Sequence, residues 1–388
     1  MPWQECTIMS ERQQFIERAL RTREGQFAAL CREFGISRQT GYKWLRRYRT
    51  QGEAGLQENS RRPRHSPART PASVEAAVLA LRAERPSWGA RKLHHVLQKR
   101  GLEGLPSIST LNEILKRHGC IGEEESAKHR AFQRFERAGP NELWQMDFKG
   151  HFELLDGTRC HPLTVLDDHS RFNLCLQACT NEKGSTVRAK LERVFGEYGL
   201  PEAMLMDNGS PWGNTPEQCF TPFVVWLMRL DVAVLHGRPR HPQTQGKEER
   251  FHRTLKLELL SRCRLVTLLE CPESFDSYRR DYNEVRPHEA LAMEVPASRY
   301  RSSERPLPAK LPAVEYGTGE VVRSVQQGGV LFFRGRVHRV PKAFCGFKVA
   351  LRPTEADGEL GAFFGRHRIA TLDLKYLSEA APSSEGPH

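Results

Sequence analysis

The 388-residue chain has no apolar run approaching the ~20 residues that span a bilayer. Its opening stretch, MPWQECTIMSERQQ, lacks the charged-then-apolar pattern of a leader. Ten cysteines are present, but none forms a CxxC pair, so the usual spacing of zinc and dithiol sites is missing. The nearest two, Cys175 and Cys179, share one side of an apolar, strand-like run and read as buried free thiols of a reducing compartment. No internal repeat stands out beyond a possible doubling of a small helical unit. The expectation is a soluble, cytoplasmic protein with no membrane partner.

What the chain does have is positive charge, unevenly spread. The formal net charge is +12. Residues 1–140 hold 26 basic and 15 acidic side chains, 141–300 hold 20 and 23, and 301–388 hold 13 and 9. Basic flanks around a slightly acidic centre suit a polyanion-binding protein that gathers carboxylates in its middle. A hydrophobic fraction of 38% permits real cores, and the length favours several domains.

Residues 10–58 read as three short helices. Gly35 ends the second, Ser37 stands as N-cap of the third, and Thr40, Trp44 and Tyr48 recur along one packing face of RQTGYKWLRRY, with Leu45 beside it. Arg38, Gln39, Lys43, Arg46 and Arg47 fall on its other faces. A tight turn before a basic, amide-bearing helix is the pattern of a helix-turn-helix, whose second helix reads base edges in the major groove. An ordinary three-helix bundle with a solvated basic face would share much of it. Residues 59–71, rich in Arg and Pro, form an extended linker, either solvated or lying in a minor groove. Residues 72–119 give three more helices around the bend PSWG, a second helix-turn-helix or a helical spacer, with Ser109, Thr110, Asn112, Lys116 and Arg117 as outward candidates. Residues 120–139 are a charged connector.

From 140 to 300 the period changes. Three strands in succession, then helix, strand, helix, strand and helix, predict a mixed five-stranded sheet covered by helices, an α/β order compatible with a ribonuclease-H-like fold. Residues 314–377 return to short strands between glycines, a small all-β barrel or sandwich.

Cutting a phosphodiester favours two divalent cations that activate the attacking oxygen and stabilise the leaving one. Such hard cations take oxygen ligands, so carboxylates must converge from separate elements. The centre offers Asp147 in the first strand, Asp207 where the buried run AMLM ends, and Glu249 early in the helix after HPQTQG. The first and fourth strands are neighbours in such a sheet, which sets the two aspartates side by side. Asp167 and Asp168 precede a turn and read as structural, with Arg171 as a partner for Asp168. Lys247, Arg250 and Arg253, with His252 and Lys256, are candidates for phosphate contact from the glutamate helix, as are His241, Gln243 and Gln245 before it. Arg286, Pro287 and His288 could serve the end of the core or touch DNA.

The strings WQMDFKG, MDNGSPW, RPRHPQTQGKEERFHRTLK and YNEVRPHEALAMEVPASRY resemble the catalytic core of bacterial insertion-sequence DDE transposases related to retroviral integrases. With the front helices, the likeness covers about residues 10–300. It implies that Asp147, Asp207 and Glu249 bind metal, two Mg2+ or Mn2+ ions. It also implies cleavage at the ends of a mobile element by an activated water, then attack of the freed 3′-hydroxyl on target DNA without a covalent protein intermediate. The implied partners are double-stranded DNA, both the element's terminal inverted repeats and the target, and further copies of the chain assembled on it, with the protein on the nucleoid when bound. Two departures stand out. Glu248 occupies a position usually apolar in the family, so the third carboxylate could be Glu248. The 41 residues between Asp207 and Glu249 also exceed the usual spacing; the excess is expected in SPWGNTPEQC. Rival readings are a DNA-binding regulator with an inert core and a metal nuclease that cuts without joining.

Overall fold

A computed structural model describes residues 8–23, 25–58, 70–121, 136–207, 209, 211–213, 220–237 and 246–374. Most of the Arg/Pro linker and of the charged connector, Asn208, and the segment with His241, Gln243 and Gln245 lie outside the described residues. The chain divides into two compact units, 1–69 and 70–388.

The first unit holds α1 (Ile8–Arg21), α2 (Phe27–Glu33) and α3 (Arg38–Gln51). Ser37 caps α3, its hydroxyl accepting from the Thr40 amide at 3.1 Å. The buried side of α3 is Gly41, Trp44 and Leu45, with Tyr48 half-buried against the same core, as expected except that Gly41 takes the place given to Thr40. Gly41 is there for closeness: a Cβ would stand 2.7 Å from Cys31 Sγ on α2.

The second unit begins with α4 (Ala72–Glu84), α5 (Ala90–Lys99) and α6 (Ile108–Arg117), packed around Leu81, Trp88, Leu93, Leu111 and Leu115. Ser107 caps α6 as Ser37 caps α3. These helices are tied to the residues that follow by charged contacts. Arg85 grips the Asp281 carboxylate through two bonds of 2.6 and 2.7 Å. The Ser87 hydroxyl donates to Glu258 at 2.6 Å.

The core sheet is built from β1 (Trp144–Phe148), β3 (Arg159–Asp167), β4 (Asn173–Cys179), β5 (Ala203–Met206) and β6 (Ala233–His236), with the two-residue β2 (Phe152–Glu153) appended to β3. Its order is β4-β3-β1-β5-β6. The first three strands pair antiparallel, while β1–β5 and β5–β6 are parallel. Strand alternation sorts the side chains. Trp144, Met146, Leu163 and Val165 face the core shared with α7 (Gly184–Tyr198) and α8 (Pro222–Arg229). Cys160, Leu166 and Leu176 face the opposite core, shared with α9 (Gly246–Leu255) and α10 (Cys271–Glu284). Cys175 and Cys179 are buried free thiols in the first of these cores.

The last residues form a four-stranded antiparallel sheet, order β12-β11-β10-β7, from β7 (Val321–Ser324), β10 (Lys348–Pro353), β11 (Glu359–Phe364) and β12 (His367–Asp373), plus the hairpin β8 (Val330–Phe333) and β9 (Arg336–Arg339). Its apolar side merges with the first core, where Phe344 meets Phe220 with ring centroids 5.2 Å apart. Asp231, in the loop between α8 and β6, adds a polar link. Its carbonyl accepts from Arg305 at 2.9 Å and Arg366 at 2.8 Å, and its carboxylate pairs with Arg366 at 2.6 Å. Between 321 and 348 there are six basic residues, Arg323, Arg334, Arg336, Arg339, Lys342 and Lys348, all exposed, and no Asp or Glu.

Candidate active site

The sheet register brings the two aspartates together. Trp144 pairs with Met204 and Gln145 with Leu205, a constant offset of 60 residues along parallel strands. The same offset carried two residues further sets Asp207 level with Asp147. Asp207 is held as it leaves β5. Its Oδ1 accepts from the Gly209 amide at 3.0 Å, and its carbonyl accepts from His236 Nδ1 on β6 at 2.9 Å. A side chain at 209 would crowd the carboxylate, because a Cβ there would stand 3.1 Å from Asp207 Oδ2.

Asp147 turns away from Trp144 and Met146, toward α9, as strand alternation requires. Its Oδ1 accepts from the Phe148 amide at 2.8 Å. Burial and then the negative charge of Asp207 push this carboxyl up to about 7; Glu182 and Glu249 add to the shift, and the Phe148 amide opposes it. Glu182, at the start of the α7 approach, pairs with His161 Nδ1 at 2.8 Å. It is an acidic neighbour of Asp147 that the sequence reading missed.

The consecutive glutamates of α9 part company. Adjacent helical positions differ by about 100° around the axis, and Glu248 is wholly buried while Glu249 is exposed. Glu248 Oε2 lies 3.0 Å from Thr164 Oγ1. Thr164 sits opposite Asp147 in the β1–β3 register, and its hydroxyl also meets the Asp147 carbonyl at 2.9 Å and His252 Nε2 at 2.8 Å. A threonine hydroxyl has one proton, and a carbonyl can only accept. That proton is shared between the Asp147 carbonyl and Glu248 Oε2, which both accept, and the hydroxyl oxygen is left to accept from His252. Burial and then Asp147 hold Glu248 well above the ordinary carboxylate range, against Thr164 and the Leu166 main chain. Burial and then Lys149 lower His252 to about 3.

Several expected contacts are redistributed. His252 is buried under the site, not offered to phosphate. Lys247 turns inward and pairs with the Asp168 carboxylate, which also accepts from Gln145 Nε2 at 2.7 Å and the Arg137 amide at 2.9 Å. Asp168 is therefore structural; Arg171 is its partner as expected, but through the Asp168 main-chain carbonyl, while the Asp168 carboxylate pairs with Lys247 and Arg171 forms its ion pair with Glu136 at 3.1 Å. Asp167 is structural as well, accepting from the Asn141 and Ser170 amides. Arg286 belongs to the fold: its Nε donates to Glu258 at 3.0 and 3.1 Å. The His288 ring packs edge-on against Tyr282 at 4.7 Å. Arg250, Arg253 and Lys256 are exposed, as are Arg38, Gln39, Lys43 and Arg46 of the first unit. Arg47 is half-buried, donates to the Gln57 carbonyl at 2.6 Å and lies over Trp44.

Family models match most of the chain in separate segments. A helix-turn-helix domain covers residues 11–64, a homeodomain-like domain 40–115, integrase core domains 137–242 and 230–296, and the C-terminal domain of IS481 family transposases 320–380. The chain belongs to the insertion-sequence transposases with an integrase core. The transposase is 26% identical over 258 residues to the insertion element IS476 uncharacterized 39.2 kDa protein of Xanthomonas euvesicatoria, covering 62% of this chain and 70% of that one. It is 25% identical over 228 residues to the insertion element IS407 uncharacterized 31.7 kDa protein of Burkholderia multivorans, covering 58% and 79%. Among solved structures, the HTLV-2 integrase catalytic core domain in complex with magnesium covers 42% of this chain and 99% of its own, at 15% identity and a TM-score of 0.33. No described helix of the transposase is long and apolar enough to cross a membrane.

Among the described residues, no three His, Cys, Asp or Glu side chains converge closely enough to hold one ion. The fit to a divalent cation lies in the donor chemistry. The negative charges of Asp207, Glu182 and Glu249 all push the Asp147 carboxyl up. A set of carboxylate oxygens with mutual repulsion is one that hard cations relieve.

Proposed function

We propose that this transposase cuts DNA at the ends of its mobile element and joins the freed 3′-hydroxyl to target DNA, with Asp147, Asp207 and Glu249 as ligands for two Mg2+ or Mn2+ ions. The observation that carries the reading is the shared 60-residue offset, which sets Asp207 beside Asp147 at one edge of a parallel strand pair. When bound, such ions activate the attacking oxygen and stabilise the leaving one. The chain's own part is to bind and orient. Asp147 is fixed by the Phe148 amide and Asp207 by the Gly209 amide. Glu249 presents its carboxylate to solvent from the first turn of α9, while Arg250 and Arg253 offer donors to phosphate oxygens. Exposed Arg38, Gln39, Lys43 and Arg46 on α3 read the terminal inverted repeats, and Arg47 supports them from beside Trp44. Lys247 reaches DNA only by leaving Asp168. Because two element ends must be handled together, the working form is a homo-oligomer on DNA.

The test is strand transfer of a labelled element-end oligonucleotide with Mg2+ or Mn2+. Asp147→Asn, Asp207→Asn and Glu249→Gln are each expected to lower joined product by more than about 100-fold, beyond what loss of an outer partner costs. Variants of undiminished activity would refute the ligand set. Cleavage without joined product would favour a nuclease, and end binding without cleavage a regulator.

A further inference from the structure

Two features of α9 stand out beside the ligand set. A fully buried glutamate directly precedes the exposed one, and its partner is a threonine directly across the strand pair from Asp147. Thr164 Oγ1 gathers three contacts within 3.0 Å: the Asp147 carbonyl, Glu248 Oε2 and His252 Nε2. The His252 ring also adjoins the Asp147 side chain, with Nδ1 3.9 Å from Oδ2.

Resting on the reading of Asp147 and Glu249 as metal ligands, we propose that Thr164, His252 and Glu248 are positioning residues that lock β1, β3 and the first turn of α9 into one register. The hydroxyl bonds the main chain of one ligand and the side chain next to the other. An apolar residue at 248 would fill the same space, but dispersion contacts tolerate sliding and rotation of a helix. A hydrogen bond has a preferred direction and length, so it fixes the helix turn as well as its distance from the sheet. Glu249, one residue on, is thereby aimed at the edge that Asp147 and Asp207 share. Outer partners of this kind govern metal affinity without touching the metal.

The test is Mn2+ affinity of the full chain, read by electron paramagnetic resonance titration, with melting curves on each variant. Thr164→Val and Glu248→Val, which keep the volume roughly but delete the hydrogen bonds, are expected to weaken Mn2+ binding about tenfold. Thr164→Ser and Glu248→Gln, which keep a hydrogen-bonding group, should stay within about twofold of wild type. Rescue by the conservative pair separates positioning from simple packing. Two results would overturn the proposal alone: valine variants that bind Mn2+ like wild type, or a Glu248→Gln variant that fails as completely as Asp147→Asn, which would make Glu248 a ligand. A wild-type chain that binds no Mn2+ would instead sink the metal reading itself, and this inference with it.

Discussion

Asp147 shows what the site costs the fold before any cation arrives. Its carboxyl is raised from 3.8 to about 7. A group raised in the folded state supports the fold fully below its unfolded value, and that support is lost as pH rises through the folded one. From about pH 4 to above 7 the metal-free protein therefore loses stability through this residue, by at most a few kcal/mol. Asp147→Asn keeps an acceptor for the Phe148 amide and removes the repulsion. Without metal at pH 8 the variant should melt a few degrees above wild type, and the gap should close toward pH 4. Added Mg2+ should raise the wild-type melting temperature but not that of the variant. Equal melting at pH 8 without metal would mean that the facing carboxylates do not strain one another. Asp147 itself was legible in the sequence, because a strand's alternation and its end are local features. Thr164 was not, since only the pairing of β1 with β3 makes it a neighbour.

The helix α9 was partly legible, and its ambiguity had a local solution. Phe251, Leu255 and Leu259 are buried along one side, and Glu248 is three residues before Phe251 and seven before Leu255. That spacing places 248 on the apolar stripe and 249 beside it, a signal the motif-based reading did not use. The far end of the helix was illegible. There the chain adopts a π turn, Lys256–Leu260, carrying Glu258. Its partners Ser87 and Arg286 are remote in sequence, so no local pattern foretold that helix α9 would be moored to the second helical unit. Lys92 on α5 lies near the same mooring. Burial, then Arg286, lower it to about 7, while Glu258 and Glu289 pull the other way. A lysine lowered on folding contributes most above its unfolded value of 10.5, and the contribution falls away as pH drops toward 7. At neutral pH the buried cation opposes docking of α5. Lys92→Met is expected to raise the melting temperature by a few degrees at pH 7 and by less at pH 10. A variant that melts lower at pH 7 would show that the acidic neighbours outweigh burial.

Across the whole molecule, the order of domains was readable because each has its own period. The helical front, the strand-rich centre and the glycine-punctuated end differ in ways composition and spacing register. The attachment of α4–α6 to the centre was not readable, since it depends on ion pairs such as Arg85–Asp281 across nearly 200 residues. In the acid-free stretch from 321 to 348, none of the six exposed basic residues pairs with a carboxylate among the described residues, a charge pattern suited to phosphate. Replacing Arg334, Arg336 and Arg339 together by Gln should weaken binding to unrelated duplex DNA. It should also reduce the slope of log affinity against log salt by up to about 3, roughly one per lost phosphate contact. An unchanged slope, measured by fluorescence anisotropy, would remove the hairpin from the DNA-binding surface. That hairpin is no loose appendage, because its Leu331 and Phe333 are buried in the first core and Arg336 donates to the Leu374 carbonyl at 2.8 Å. The same small domain is joined through Arg366 to Asp231, in the loop two residues before β6 begins. In mechanical terms this loop would be a load path: were the last domain to grip DNA, a pull on it would pass into β6 and from there to β5, whose last residue directly precedes Asp207.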